Sequence, residues 1–215
     1  MGAKDGKRGS GPVTGDHKVL SRTDLTVFAV KSGLLKVRRA ARDLCDARIR
    51  RLPRGPAGGG VVAEVVTPLY TESDPNEMAL QLGKVQNLRV AARALDGVII
   101  RRGEVFSFWA HVGRPTRARG YVEGRELRQG CLIPTVAGGL CQMSNSLYRA
   151  ATQAGCEIVE RHGHSAAVPG SPFPPGEDAT VFWNYVDLRF RGPSDLRLGV
   201  TLGRGDLSVR LEVPA

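Results

Sequence analysis

With 215 residues, 41% of them hydrophobic and 24% charged, the chain has the composition of a folded protein with one good core, or one domain with an extension, and not of a disordered one. No run reaches the roughly 18 to 20 apolar residues of a membrane-spanning helix. The net charge of +10 is lopsided, since residues 1–60 hold 14 Lys/Arg against 5 Asp/Glu while the rest is nearly balanced at 17 against 16.

The first residues, Met1-Gly2-Ala3-Lys4-Asp5-Gly6-Lys7-Arg8, are basic but lack the apolar stretch of a secretory signal, so a cytoplasmic protein is expected. A basic N-terminal region suits peripheral contact with an anionic membrane surface. No specific nucleic-acid partner is expected, because no aromatic residues interleave with the basic ones as a stacking platform for single strands requires. Cys45, Cys131, Cys141 and Cys156 form no CxxC pair, and reduced thiols are expected.

In chain order, residues 1–20 are rich in Gly, Lys and Asp and read as a flexible basic tail. Residues 21–60 read as a basic strand-helix extension: a strand at Leu25–Val30, then a helix from Leu34 to about Ile49 with Leu34, Val37, Ala41, Leu44 and Cys45 on one stripe. The run Pro53-Arg54-Gly55-Pro56-Ala57-Gly58-Gly59-Gly60 is the linker candidate. Residues 61–215 form the main domain. There Val61–Val66 predicts a strand, and Asp74 or Asn76 caps a helix running to about Leu95. Val98–Ile100 and Val105–Trp109 follow as strands, and Gly113 to Gly120 is an arginine-bearing loop. Helical spacing of Met143, Leu147, Ala150, Ala151 and Ala154, stopped by Gly155, predicts a helix from Gln142. Strands at Glu157–Arg161, Ala179–Phe190 and Leu196–Leu202, the last with a hairpin return over Leu207–Val213, complete an α+β fold with a largely antiparallel sheet and packed helices.

The chemistry centres on Ala137-Gly138-Gly139-Leu140-Cys141-Gln142-Met143-Ser144-Asn145. Cys141 falls at a helix N-terminus, where free N–H groups and the macrodipole favour a thiolate. Gly138 and Gly139 admit positive φ and close approach of a substrate backbone. A small buried hydrophobe in a turn is the plainer reading of the same cysteine. His162 and His164, two apart at a strand end, share a face, and a Cys–His pair oriented by a third group is the generalised nucleophile–base arrangement. Asp187 and Asn184 are the orienting candidates, and Gln142 with the helix N–H groups the oxyanion donors. Asp187 lies within an apolar strand, where it needs either a partner or an outward face. Gly138, Gly139 and Ser144 with Arg114 and Arg119 are substrate-binding candidates, the arginines for a carboxylate. The helix-start Cys, strand-end His, then Asn/Asp order is shared with papain-like and transglutaminase-like thiol enzymes. Cys141 with His162 and His164 would also make three zinc ligands, but not at a recognised finger spacing; no metal or cofactor is expected.

Several ordered motifs carry a family likeness. Gly103-Glu104-Val105-Phe106-Ser107-Phe108-Trp109, Val112-Gly113-Arg114-Pro115-Thr116, Gly138 to Asn145, Val159-Glu160-Arg161-His162-Gly163-His164-Ser165 and Ala179 to Phe190 resemble the VanW-like family of bacterial proteins. The family is named for an accessory member of glycopeptide-resistance clusters, and other members look like envelope proteins joined to peptidoglycan-binding modules. The expected function is thus Cys–His dependent acyl transfer or amide cleavage on a peptide or peptidoglycan-precursor amide. A non-catalytic binding or accessory module is the other reading.

Overall fold

The computed structural model describes residues 22–70, 77–128, 131–163 and 178–215. The tail expected at 1–20, the cap candidates Asp74 and Asn76, and His164 lie outside them. Among the described residues the fold is α+β, with four α-helices and antiparallel sheets.

The N-terminal portion is one long helix, α1 (Arg22–Cys45). Leu25–Val30, expected as a strand, is its beginning. A three-and-four spacing of apolar residues runs unbroken through positions 27, 30, 34, 37, 41 and 44, and this helical period prevails over the β-branched composition of Thr26, Val27 and Val30.

β1 (Val61–Pro68) follows the linker and turns Ala63, Val65 and Thr67 inward. α2 (Met78–Leu95) buries Val85, Leu88, Ala91, Ala92 and Leu95. After β2 (Ile99–Ile100) and β3 (Val105–Ser107), the expected strand to Trp109 gives way at Phe108 to α3 (Phe108–Val112). Ser107 is the reason, because its hydroxyl accepts a hydrogen bond from Ala110 N and caps the new helix. The arginine loop carries one 3-10 turn, Arg117–Arg119. β4 (Glu123–Arg128) and β5 (Cys131–Val136) pair as a hairpin. α4 (Leu140–Gln153) begins one residue before the thiol and is followed by β6 (Glu157–Glu160). The long strand expected over Ala179–Phe190 is largely a turn closed by a Phe182–Val186 bridge, and only β7 (Arg189–Arg191) pairs as a strand. β8 (Leu196–Leu202) and β9 (Asp206–Glu212) form the expected hairpin.

The strands make a sheet of order β1-β9-β8-β2, a second of order β3-β7-β6, and the β4-β5 pair. α2 lies against β8 and β4, α4 lies against β1, β9 and β6, and the two helices meet. Their shared core holds Leu88, Leu95, Met143, Leu147, Leu198, Val209 and Leu211. α4 is therefore held on several sides, and its N-terminus is presented beside β4 and the 178–182 segment.

Candidate functional site

The turn before α4 is built by the protein's own backbone. Gly139, the helix N-cap, sits in the left-handed region at φ 98°, and Ala137 also has positive φ at 69°. Asn87 of α2 is fully buried beside this turn. Its amide donates to Gly138 O at 2.9 Å and Val122 O at 3.0 Å, and its Oδ1 accepts from Val122 N at 2.9 Å. A Cβ on Gly138 would stand 2.3 Å from Gly124 O, and one on Gly139 would stand 2.2 Å from Lys84 Cγ. The space that a Cβ would fill at these glycines is thus taken by β4 and Lys84.

Cys141 is the second residue of α4 and is partly exposed. Its Sγ lies 3.3 Å from Thr180 Oγ1 and 3.9 Å from Val181 O. The polar residues that follow are engaged in holding their surroundings. Gln142 Nε2 donates to Thr67 Oγ1 at 3.0 Å and Pro68 O at 2.8 Å. The Ser144 hydroxyl meets Ala179 O at 2.5 Å, and Asn145 Oδ1 accepts from Ala179 N at 2.6 Å. Ser146 donates to Gln142 O at 2.9 Å. Ser144 and Asn145 grip the residue before Thr180 and so fix the hydroxyl that faces the sulfur.

Thr180 also joins the thiol to the histidine segment, since its N–H donates to His162 O at 2.7 Å. The His162 ring is half exposed, and its Nε2 lies 3.2 Å from Glu160 Oε1. Cys141 and His162 therefore flank the same short segment, while the hydrogen-bonding partner of the ring is Glu160. The alternation rule that puts 162 and 164 on one face puts 160 there too, and this was the available signal for Glu160.

Asp187 is fully buried and partnered, so the outward face considered for it is corrected. Its Oδ2 accepts from Ser107 Oγ at 2.7 Å and Arg189 Nε at 2.8 Å, and its Oδ1 accepts from Trp109 N and Leu188 N. Burial pushes its carboxyl up, against the pull of Ser107 and Arg189. Glu160 meets the same charges from nearer the surface. Desolvation opposes its ionisation, but Arg39, at 2.9 and 2.6 Å in a two-pronged contact, and Arg189 outweigh it and hold the carboxyl below its ordinary range. Asp43 completes the cluster on Arg39 and Arg189. Asn184 donates weakly to Lys36 O at 3.5 Å, and its Oδ1 is buried without a hydrogen-bond partner.

Arg114 and Arg119 are exposed. Arg119 Nη1 donates to Arg114 O at 3.0 Å, and the neighbouring Arg117 pairs with Glu123. Lys84 and Asn87 are the site residues that no motif announced, and Glu160 and Thr180 lay inside motifs without being singled out as site candidates. Lys84 is only 6% exposed. Burial, aided by Arg125, lowers its ammonium to about 8. Among the described residues no three of His, Cys, Asp and Glu converge as a metal site requires.

An α+β module in which a glycine turn leads into a helix whose second residue is a partly exposed thiol defines the class of protein. Residues 83–212 match the family described as VanW like protein, and the chain belongs to that family. It is 32% identical over 174 residues to the vancomycin B-type resistance protein VanW of Enterococcus faecalis (strain ATCC 700802 / V583), covering 75% of this chain and 63% of that protein. It is 41% identical over 105 residues to the uncharacterized protein YoaR of Bacillus subtilis (strain 168), covering 49% of this chain and 34% of that protein. The chain thus spans less than two thirds of either relative's length. No solved structure matches it significantly.

Proposed function

We propose that this VanW-like domain is a thiol-dependent acyl-transfer or amide-cleaving enzyme acting on a peptide or peptidoglycan-precursor amide. One observation carries the reading. Gln142, Ser144, Asn145 and Ser146 are all committed to hydrogen bonds within the protein, whereas the Cys141 thiol stays partly exposed and, among the described residues, meets a hydroxyl and a more distant carbonyl. In the reaction the Cys141 sulfur bonds to the carbonyl carbon, the thiol proton passes by way of His162 to the departing amine nitrogen, and the C–N bond breaks. Water or an acceptor amine then takes the acyl group from sulfur. Glu160 orients the imidazole in place of Asp187 or Asn184, and the unpaired N–H groups of the first turn of α4 face the developing oxyanion. The order of cysteine and histidine along the chain is that of papain-like and transglutaminase-like enzymes, an analogy of arrangement. His162 closes on the sulfur only when substrate is bound, as catalytic contacts often do. The contact of its ring with Glu160 favours the second reading, a non-catalytic module that binds the same class of ligand.

Site-resolved alkylation by iodoacetamide across pH 5 to 10 tests the proposal. Cys141 should react faster at neutral pH than exposed Cys45, while Cys156, pushed up to about 11 by burial, should lag behind both. A Cys141 that reacts no faster than Cys45 supports the binding module and refutes the enzyme.

A further inference from the structure

α1 is docked with its apolar face outward. Val27, Val30, Leu34, Val37 and Leu44 are 50%, 68%, 71%, 68% and 87% exposed. With Ala41, they span roughly 100° of the helix circumference. The opposite face meets the protein through charge: Arg39 binds Glu160, Asp43 binds Arg189, and Lys36 lies over the Phe182 ring. This inverts the usual arrangement for a helix on a globular domain, which places the apolar stripe on the core. A contiguous apolar strip of this length marks an interaction surface.

We propose that this face of α1 seats on an anionic lipid surface. Charge decides the occupant. Lys31, Arg38 and Arg42 line one margin of the stripe, Thr26, Gly33 and Ala40 line the other, and no described side chain of the exposed face is acidic. The sequence before the helix adds Lys4, Lys7, Arg8 and Lys18 against Asp5 and Asp16. An apolar stripe edged by basic residues lies in the headgroup plane with its apolar side chains in the acyl boundary and its cations among lipid phosphates. The stripe also has the spacing of a two-helix seam, but among the described side chains a second copy of α1 offers no acid to pair with Lys31, Arg38 and Arg42. An antiparallel pair sets Lys31 against Arg38, and a parallel one sets both against neutral residues.

Co-sedimentation of the full chain with vesicles tests this, comparing pure phosphatidylcholine with phosphatidylcholine carrying 30% phosphatidylserine. Binding should be at least tenfold stronger to the anionic vesicles and fall several-fold as salt rises from 0.05 to 0.3 M. It should be lost in Leu34→Glu/Leu44→Glu and weakened in Lys31→Glu/Arg38→Glu. All four replaced side chains face solvent, so thermal unfolding should confirm that both variants stay folded. Equal partition to both vesicle types, absence of binding to either, or concentration-dependent dimerisation abolished by Leu34→Glu/Leu44→Glu would overturn the proposal.

Discussion

Replacing Lys84 by methionine should stabilise the protein at neutral pH. Its stem packs across Gly139, and its ammonium is buried beside Arg125 and the positive end of α4. Lowering a lysine from 10.5 to about 8 corresponds to about 3 kcal/mol at about 1.4 kcal/mol per pH decade, and to about 2 kcal/mol once residual solvent screening is allowed for. The folded pKa is depressed, so the cost is absent above about 10.5, accrues as pH falls, and is complete below about 8. Methionine keeps the contacts of the stem and removes the charge. Lys84→Met should raise the melting temperature by about 4 to 8 °C at pH 7 for a chain of this size, and the gap should close towards pH 10.5. The comparison must be wild type against variant at each pH, since Cys156, pushed up to about 11 by burial, titrates in the same range and cancels only in the difference. A destabilised variant at pH 7, or a gap equal at pH 7 and 10.5, would refute the reasoning.

Asn87→Ala strands Gly138 O, Val122 O and Val122 N around one buried amide, so urea unfolding should show a loss of about 3 kcal/mol with an unchanged slope. A loss under about 1 kcal/mol would mean that the turn does not depend on this side chain. Glu160, held below the ordinary carboxyl value of 4.5, adds stability that is present above about 4.5 and lost as pH falls through its folded value. Glu160→Gln should therefore unfold about 3 kcal/mol more easily at pH 7 by loss of the Arg39 pair, with a flatter acid limb between pH 5 and 3. An acid limb as steep as that of the wild type would assign the acid sensitivity to other carboxylates.

The elements legible in the sequence were those whose local and tertiary preferences agree. The β8–β9 hairpin and α4 carry an uninterrupted apolar period and clear stops, and Gly155, at φ 69°, ends the helix where its lack of a Cβ predicts. The misreadings occur where a side chain far along the chain decides. Val105 to Trp109 has strand composition throughout, but the Ser107 hydroxyl caps a helix and Asp187, eighty residues away, receives Trp109 N. Gly138 and Gly139 were legible as a site of close approach, but not what approaches them, because Gly124 and Lys84 come from other elements. The stripe on α1 was legible as a stripe. The direction it faces was not, because Arg39 finds its partner 121 residues away in Glu160.

Glu160 is where these features meet. Its carboxylate receives both prongs of Arg39 from α1, the N–H of Asp187 and the ring of His162. A helix attached through ion pairs is held differently from one attached through apolar packing. Desolvating the charges offsets most of their attraction, so the attachment adds little net stability yet strongly fixes geometry while every partner stays in place. α1 thus keeps its apolar side free for another surface, and the residue that anchors it also holds the imidazole that flanks the thiol segment. Seating α1 on a lipid surface would fix the orientation of the Cys141 site relative to that surface through the pairs Arg39–Glu160 and Asp43–Arg189.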